Sequence, residues 1–130
     1  MATDRPIFFV DRSLGRLTVV TALAQAGYQA VAHDDQFPQD TPDADWLATA
    51  GAKGWIVLTE DSAIRRNPLE RSAYREARAR VFVLTSQNMT AADMAAAFIA
   101  AMPRILARVD DTQAPFVFAV RRNGDVERLD

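Results

Sequence analysis

Gly54-Trp55-Ile56-Val57-Leu58-Thr59-Glu60-Asp61 is the stretch on which the fold turns. Four apolar residues in a row, two of them β-branched (Ile56 and Val57), suit a short strand covered on both faces, as in a parallel sheet. Charge begins only at Glu60 and Asp61, where such a strand would leave the core. Open α/β sheets place their chemistry at the carboxyl ends of their strands. Asp61 is therefore the first candidate for function.

Residues 7–11, Ile-Phe-Phe-Val-Asp, repeat the pattern and close on Asp11. Helical spacing follows, with Leu17, Val20 and Ala24 on one face up to Gly27. Tyr28 to His33 reads as a second, less apolar strand, and Asp34 to Pro42 as a polar loop. Thr41-Pro42 has the form of a helix start, Thr as N-cap and Pro at the first helical position. The helix expected over 42–52 carries Asp43 and Asp45 in its first turn and buries Trp46, Leu47 and Ala50. Beyond the central strand (55–60), Ser62 to Asn67 is a basic connection and Pro68 opens a helix to about Ala79. Val81 to Thr85 is a fourth strand. Thr90-Ala-Ala-Asp93 resembles a capping box, and the helix after it sets Met94, Phe98, Met102 and Leu106 on one face, with a kink expected at Pro103. Pro115 to Val120 is a fifth strand, and Asn123-Gly124 signals a type I′ hairpin. The order β-α-β-α-β-α-β-α-β argues for one α/β domain over residues 1–130. Its central sheet has about five mostly parallel strands, with helices on both faces and a C-terminal hairpin.

Composition narrows the chemistry. The 130 residues contain no cysteine, which removes disulfides, thiolate nucleophiles and cysteine-built metal sites. His33 is the single histidine, so multi-histidine metal sites are excluded as well. No apolar run is long enough to span a bilayer, and no signal segment opens the chain. The expectation is a soluble, cytoplasmic protein. Net charge is −2, but its distribution is uneven. Fourteen of the fifteen basic residues are arginine, and six of these (Arg65, Arg66, Arg71, Arg75, Arg78 and Arg80) fall between positions 65 and 80. Acids crowd residues 34–45 instead.

The topology gives these acids a meeting place. Carboxyl ends of parallel strands share one sheet edge with the N-termini of the helices that follow them. Asp11, Asp43 and Asp61, distant in sequence, can converge there, with Asp45 beside Asp43. Carboxylates sharing a cleft repel one another, and a hard divalent cation, Mg²⁺ or Mn²⁺, resolves the repulsion with oxygen ligands. Such an ion supports phosphodiester hydrolysis, and arginines just after Asp11 and Asp61 (Arg12, Arg65 and Arg66) would hold phosphate oxygens. Each acid also has a plainer use. Asp43 and Asp45 suit the positive end of a helix, and Asp11 and Asp61 could each cap the turn that follows. Asp34 and Asp35 read as loop solvation, Trp46 and Trp55 as core, and His33 as structural. The arginines at 71, 75 and 78 read as a solvated face with Glu70 and Glu76 as their partners.

Three segments in this order and spacing carry a family likeness: Phe9-Val10-Asp11 with Ser13-Leu14-Gly15; Thr41-Pro42-Asp43-Ala44-Asp45-Trp46-Leu47; and Gly54 to Asp61. Together they resemble PIN-like domains, above all the compact VapC-type toxins of bacterial toxin–antitoxin pairs. The stretches Arg80 to Leu84 and Pro115 to Val117 extend the likeness over nearly the whole chain. The resemblance implies a three-layer PIN-like domain acting as an Mg²⁺- or Mn²⁺-dependent endoribonuclease. It implies Asp11, Asp43 and Asp61 as catalytic and metal-binding residues and Asp45 as a fourth metal ligand. RNA is the implied substrate and an antitoxin protein the implied partner; a homodimer is allowed for, and no membrane association is expected. The chain departs from larger PIN nucleases in one respect: they carry a further acid after the third, whereas Ser62-Ala63-Ile64-Arg65 follows Asp61 here.

Two other readings compete. A non-catalytic PIN-like scaffold would bind RNA or protein without cutting. A phospho-receiver domain would use Asp61 as phosphoacceptor and Thr85 as its switch residue. It also needs an acidic pair after the first strand and a lysine ending the fifth, whereas Arg12 follows Asp11 and the only lysine is Lys53.

Overall fold

The computed structural model describes residues 6–86 and 88–130 and, of Arg65, the backbone alone. Among the described residues twelve elements follow in chain order: β1 (Ile7–Val10), α1 (Thr18–Gln25), β2 (Gln29–Ala32), α2 (His33–Gln36), α3 (Asp43–Lys53), β3 (Ile56–Thr59), α4 (Ala63–Arg66), α5 (Pro68–Ala77), β4 (Arg80–Leu84), α6 (Ala91–Asp111), β5 (Phe116–Val120) and β6 (Val126–Arg128). A 3₁₀ turn, Arg12–Leu14, follows β1. The strands form one six-stranded sheet in the order β2-β1-β3-β4-β5-β6. All neighbours are parallel except β5 and β6, which close the sheet as the expected antiparallel hairpin.

Side-chain alternation along the strands divides the interior into two layers. Phe8, Val10, Ile56, Leu58, Phe82, Leu84, Phe116 and Phe118 face α1 and α6, where Val19, Leu23, Phe98 and Ile105 meet them. Phe9, Val57, Val81, Val83 and Val117 face the other way, onto Trp46, Leu47 and Ala50 of α3 and Tyr74 of α5. Each fully buried phenylalanine contributes roughly 1.5–3 kcal/mol of burial. The strands are apolar throughout because both their faces are covered, which is why they read from sequence as unbroken runs. On the second face the helices approach closely: a Cβ on Gly51 of α3 would collide with the backbone carbonyl of Ala77 in α5.

Several local expectations are corrected. The buried face of α1 is Val19 and Leu23, whereas Leu17 is 70% exposed and precedes the helix at φ −133°. Thr41 does not cap α3: its hydroxyl donates to the Pro38 carbonyl, and the helix begins at Asp43. The loop after β2 opens with a helical turn, α2, and the basic connection after β3 contains another, α4. Asp34 is more than a solvated loop charge, since it accepts from Arg16 Nε at 2.8 Å and lies 3.2 Å from His33 Nδ1. The hairpin turn is not type I′, which needs positive φ at both central residues. Only Gly124 is positive (φ +91°). The Arg121 carbonyl accepts from the Gly124 amide, and the Asn123 side chain binds the Asp125 amide instead of entering the left-handed region. The capping box at Thr90 is half made, Thr90 Oγ1 accepting from the Asp93 amide, and α6 runs through Pro103 over 21 residues.

Candidate metal centre

The strand order reverses at β1: β2 lies on one side of it and β3 on the other. Crossovers in opposite directions put α1 and α3 on opposite faces, opening a crevice at the carboxyl ends of β1 and β3. Asp11 and Asp61 stand at this crevice. The Asp11 amide donates to the Leu58 carbonyl at 2.9 Å, so the two acid-bearing strand ends are tied through the backbone.

Asp11 is 5% exposed, and its Oδ2 accepts from both Ser13 Oγ and Thr59 Oγ1, each at 2.8 Å. With their single protons committed to Asp11, the two hydroxyls accept backbone protons in turn: Glu60 N–H reaches Ser13 Oγ and Asp61 N–H reaches Thr59 Oγ1, both at 3.0 Å. A buried carboxylate thus obtains two donors, which its burial requires. The same net shapes the turn after β3 that carries Asp61. Asp61 itself is exposed, and its Oδ1 accepts the Ala63 amide at 2.9 Å just before α4.

Asp43 opens α3 and is half-buried, its Oδ1 accepting from Trp46 Nε1 at 2.9 Å. Asp45, two residues on, is exposed and lies outside the carboxylate group described next. The third member of that group is Glu70 in the first turn of α5, a helix capped by Asn67 Oδ1 on the Leu69 amide. Asp43, Asp61 and Glu70 each offer a carboxylate oxygen within 4.8 Å of the others'.

Desolvation raises the Glu70 carboxyl from 4.5 to about 7, helped by a hydrogen bond to Asp43 and by the charges of Asp43, Asp61 and Asp11. Asp11 therefore acts electrostatically on the cluster although it is not one of the three converging groups. Glu70 was expected to be an arginine partner on a solvated face. The rule that located Asp43, an acid in the first turn of a helix after a strand, applies equally to Glu70 behind Pro68. The i, i+4, i+7 arginine stripe masked it.

A set made wholly of carboxylate oxygens, one of them reluctant to ionise beside its neighbours, fits a hard divalent cation. Arg12 and Arg66 are exposed near this edge, on the turns after β1 and β3, and neither is paired with an acid among the described residues. The Arg65 side chain, also expected at the site, lies outside the described residues. His33 is buried against Phe9, Phe37 and Trp46. A cavity of about 930 Å³ opens at the opposite end of the strands beside Ile7, Ile56 and Arg80, and Asp110 is the one acid among its described lining residues. Size therefore does not locate the chemistry here; the convergence of carboxylates does. No helix of the described residues is long and apolar enough to cross a membrane.

Comparison with known proteins agrees with this fold. The family model described as "PIN like domain" matches residues 6–86, spanning β1 to the end of β4 and Asp11, Asp43, Asp45, Asp61 and Glu70. The chain is also similar to a Mycobacterium tuberculosis protein named "Putative ribonuclease VapC45", 32% identical over 124 residues, covering 92% of this chain and 89% of that protein. No solved structure gives a significant match. The chain belongs to the PIN-like domain family, among its VapC-type members.

Proposed function

We propose that this chain, acting as one domain, is a metal-dependent endoribonuclease and the toxin of a toxin–antitoxin pair. The observation that carries the reading is the convergence of Asp43, Asp61 and Glu70 within 4.8 Å beside buried Asp11, at the strand-order reversal of a PIN-like sheet. The name of the M. tuberculosis relative supports RNA as the substrate.

Asp43, Asp61 and Glu70 would hold Mg²⁺ or Mn²⁺, with Asp11 adding charge from behind. When bound, the ion supplies Lewis-acid neutralisation of a phosphate and activation of a water nucleophile. The protein's own share is positional. Ser13 and Thr59 hold Asp11 in one orientation, and the Asp61 bond to the Ala63 amide directs that carboxylate. Arg12 and Arg66, with Arg65, would hold the flanking RNA phosphates, where a guanidinium binds two oxygens at once. Asp45, exposed beside the cluster, could join the ion only through water. The antitoxin would act by covering this edge.

The test is RNA cleavage by the purified chain with Mn²⁺ or Mg²⁺, with EDTA, and with Asp61→Asn. Cleavage that needs both the ion and Asp61 is expected. A folded, metal-binding protein that leaves a broad set of RNAs intact would favour the non-catalytic scaffold. Cleavage undiminished by EDTA would overturn the metal reading.

A further inference from the structure

We infer that Trp46 is a positioning residue for the carboxylate site: its indole N–H fixes Asp43 and selects it over Asp45 as the acid that faces the cation. The inference rests on the metal-dependent reading above.

Trp46 is 3% exposed and held on several sides. It stacks on Phe9 (centroids 5.2 Å, planes 29° apart), and Phe9 stacks on Trp55 beyond it (5.5 Å, 8°). His33 meets Trp46 edge-on at 6.2 Å and 87°. A ring so enclosed cannot turn about its bonds without disturbing the core. Indole has one polar atom, a donor, and burying it unpaired would be costly. Here it donates to Asp43 Oδ1 at 2.9 Å.

This bond does more than satisfy the indole. Asp43 lies in the first turn of α3, where a short acidic side chain is otherwise free to rotate toward water. A rigid donor three residues later lies on the same helix face and holds one oxygen, directing the carboxylate toward Asp61 and Glu70. Asp45, one residue before Trp46, points to a different face and is exposed. The N–H also withdraws charge from Asp43, easing its repulsion with the other two acids. Groups that orient a metal-ligating carboxylate in this way govern affinity for the ion.

Two experiments test this. The first measures Mn²⁺ affinity by calorimetry for the wild-type protein, Trp46→Phe and Trp55→Phe. Trp46→Phe keeps a stacking ring and loses only the donor side of the indole. Trp55 occupies the far side of the same stack and bonds no site carboxylate among the described hydrogen bonds, so it controls for loss of packing. Trp46→Phe is expected to weaken Mn²⁺ binding by about 10–100-fold, and Trp55→Phe to leave it unchanged. The second needs no variant: the two tryptophans give two indole N–H resonances, and Mg²⁺ should shift that of Trp46 and not that of Trp55. Wild-type Mn²⁺ binding that Trp46→Phe leaves intact, or Mg²⁺ binding with both resonances stationary, would overturn the inference alone. A wild-type protein that binds neither ion would overturn the metal reading and this inference with it.

Discussion

Glu70→Gln should stabilise the metal-free protein at alkaline pH while removing a ligand. Glu70 keeps its proton in the folded state up to about pH 7, whereas an unfolded glutamate releases it near 4.5. Between these values the folded state binds more protons, so stability falls as pH rises, and the loss is complete above about pH 7. Converted in full, the shift would correspond to about 3.4 kcal/mol. Glu70 is only half-buried, and solvent screening reduces that to about 1 kcal/mol. Glutamine has the shape of the protonated acid and none of its titration. In EDTA, thermal unfolding of Glu70→Gln should match the wild-type protein near pH 5 and exceed it by about 3–5 °C at pH 8. Added Mn²⁺ should reverse the order, because the wild-type protein gains stability from binding. A variant less stable than wild type at pH 8 in EDTA, or a difference independent of pH, would refute the claim that burial and the neighbouring carboxylates hold the Glu70 proton.

Two substitutions probe the scaffold around it. Thr59→Val removes one of the two hydroxyl protons that Asp11 receives and the acceptor for the Asp61 amide; denaturant unfolding at pH 7 should show a loss of about 1–3 kcal/mol, and unchanged stability would mean water replaces the hydroxyl at no cost. Gly51→Ala forces α3 and α5 apart at Ala77, with an expected loss of about 1–3 kcal/mol. Because Asp43 and Glu70 ride on those two helices, Mn²⁺ affinity should fall as well, and affinity that survives the substitution would show that helix spacing does not set the site.

By itself the sequence determined the parallel α/β architecture and the acids that end its strands. A strand buried on both faces must be apolar throughout, so the charges at Asp11 and Asp61 mark where each strand leaves the core. Helix starts after strands placed Asp43 at the same edge. Only the tertiary structure decided which acids come together. Order within a sheet is set by long-range packing, and the reversal between β1 and β3 that opens the crevice leaves no local trace. Glu70 lies within a run of arginines whose i, i+4 spacing supports an exposed helix equally well, and it meets Asp43 and Asp61 only because α5 packs against α3. Asp43 and Asp45 both belong to the first turn of one helix and differ in sequence by a single residue between them. The stack of Trp46 on Phe9 separates them, because a helix turns about 100° per residue and, of the two, Asp43 shares the face of Trp46 and meets its indole N–H while Asp45 does not.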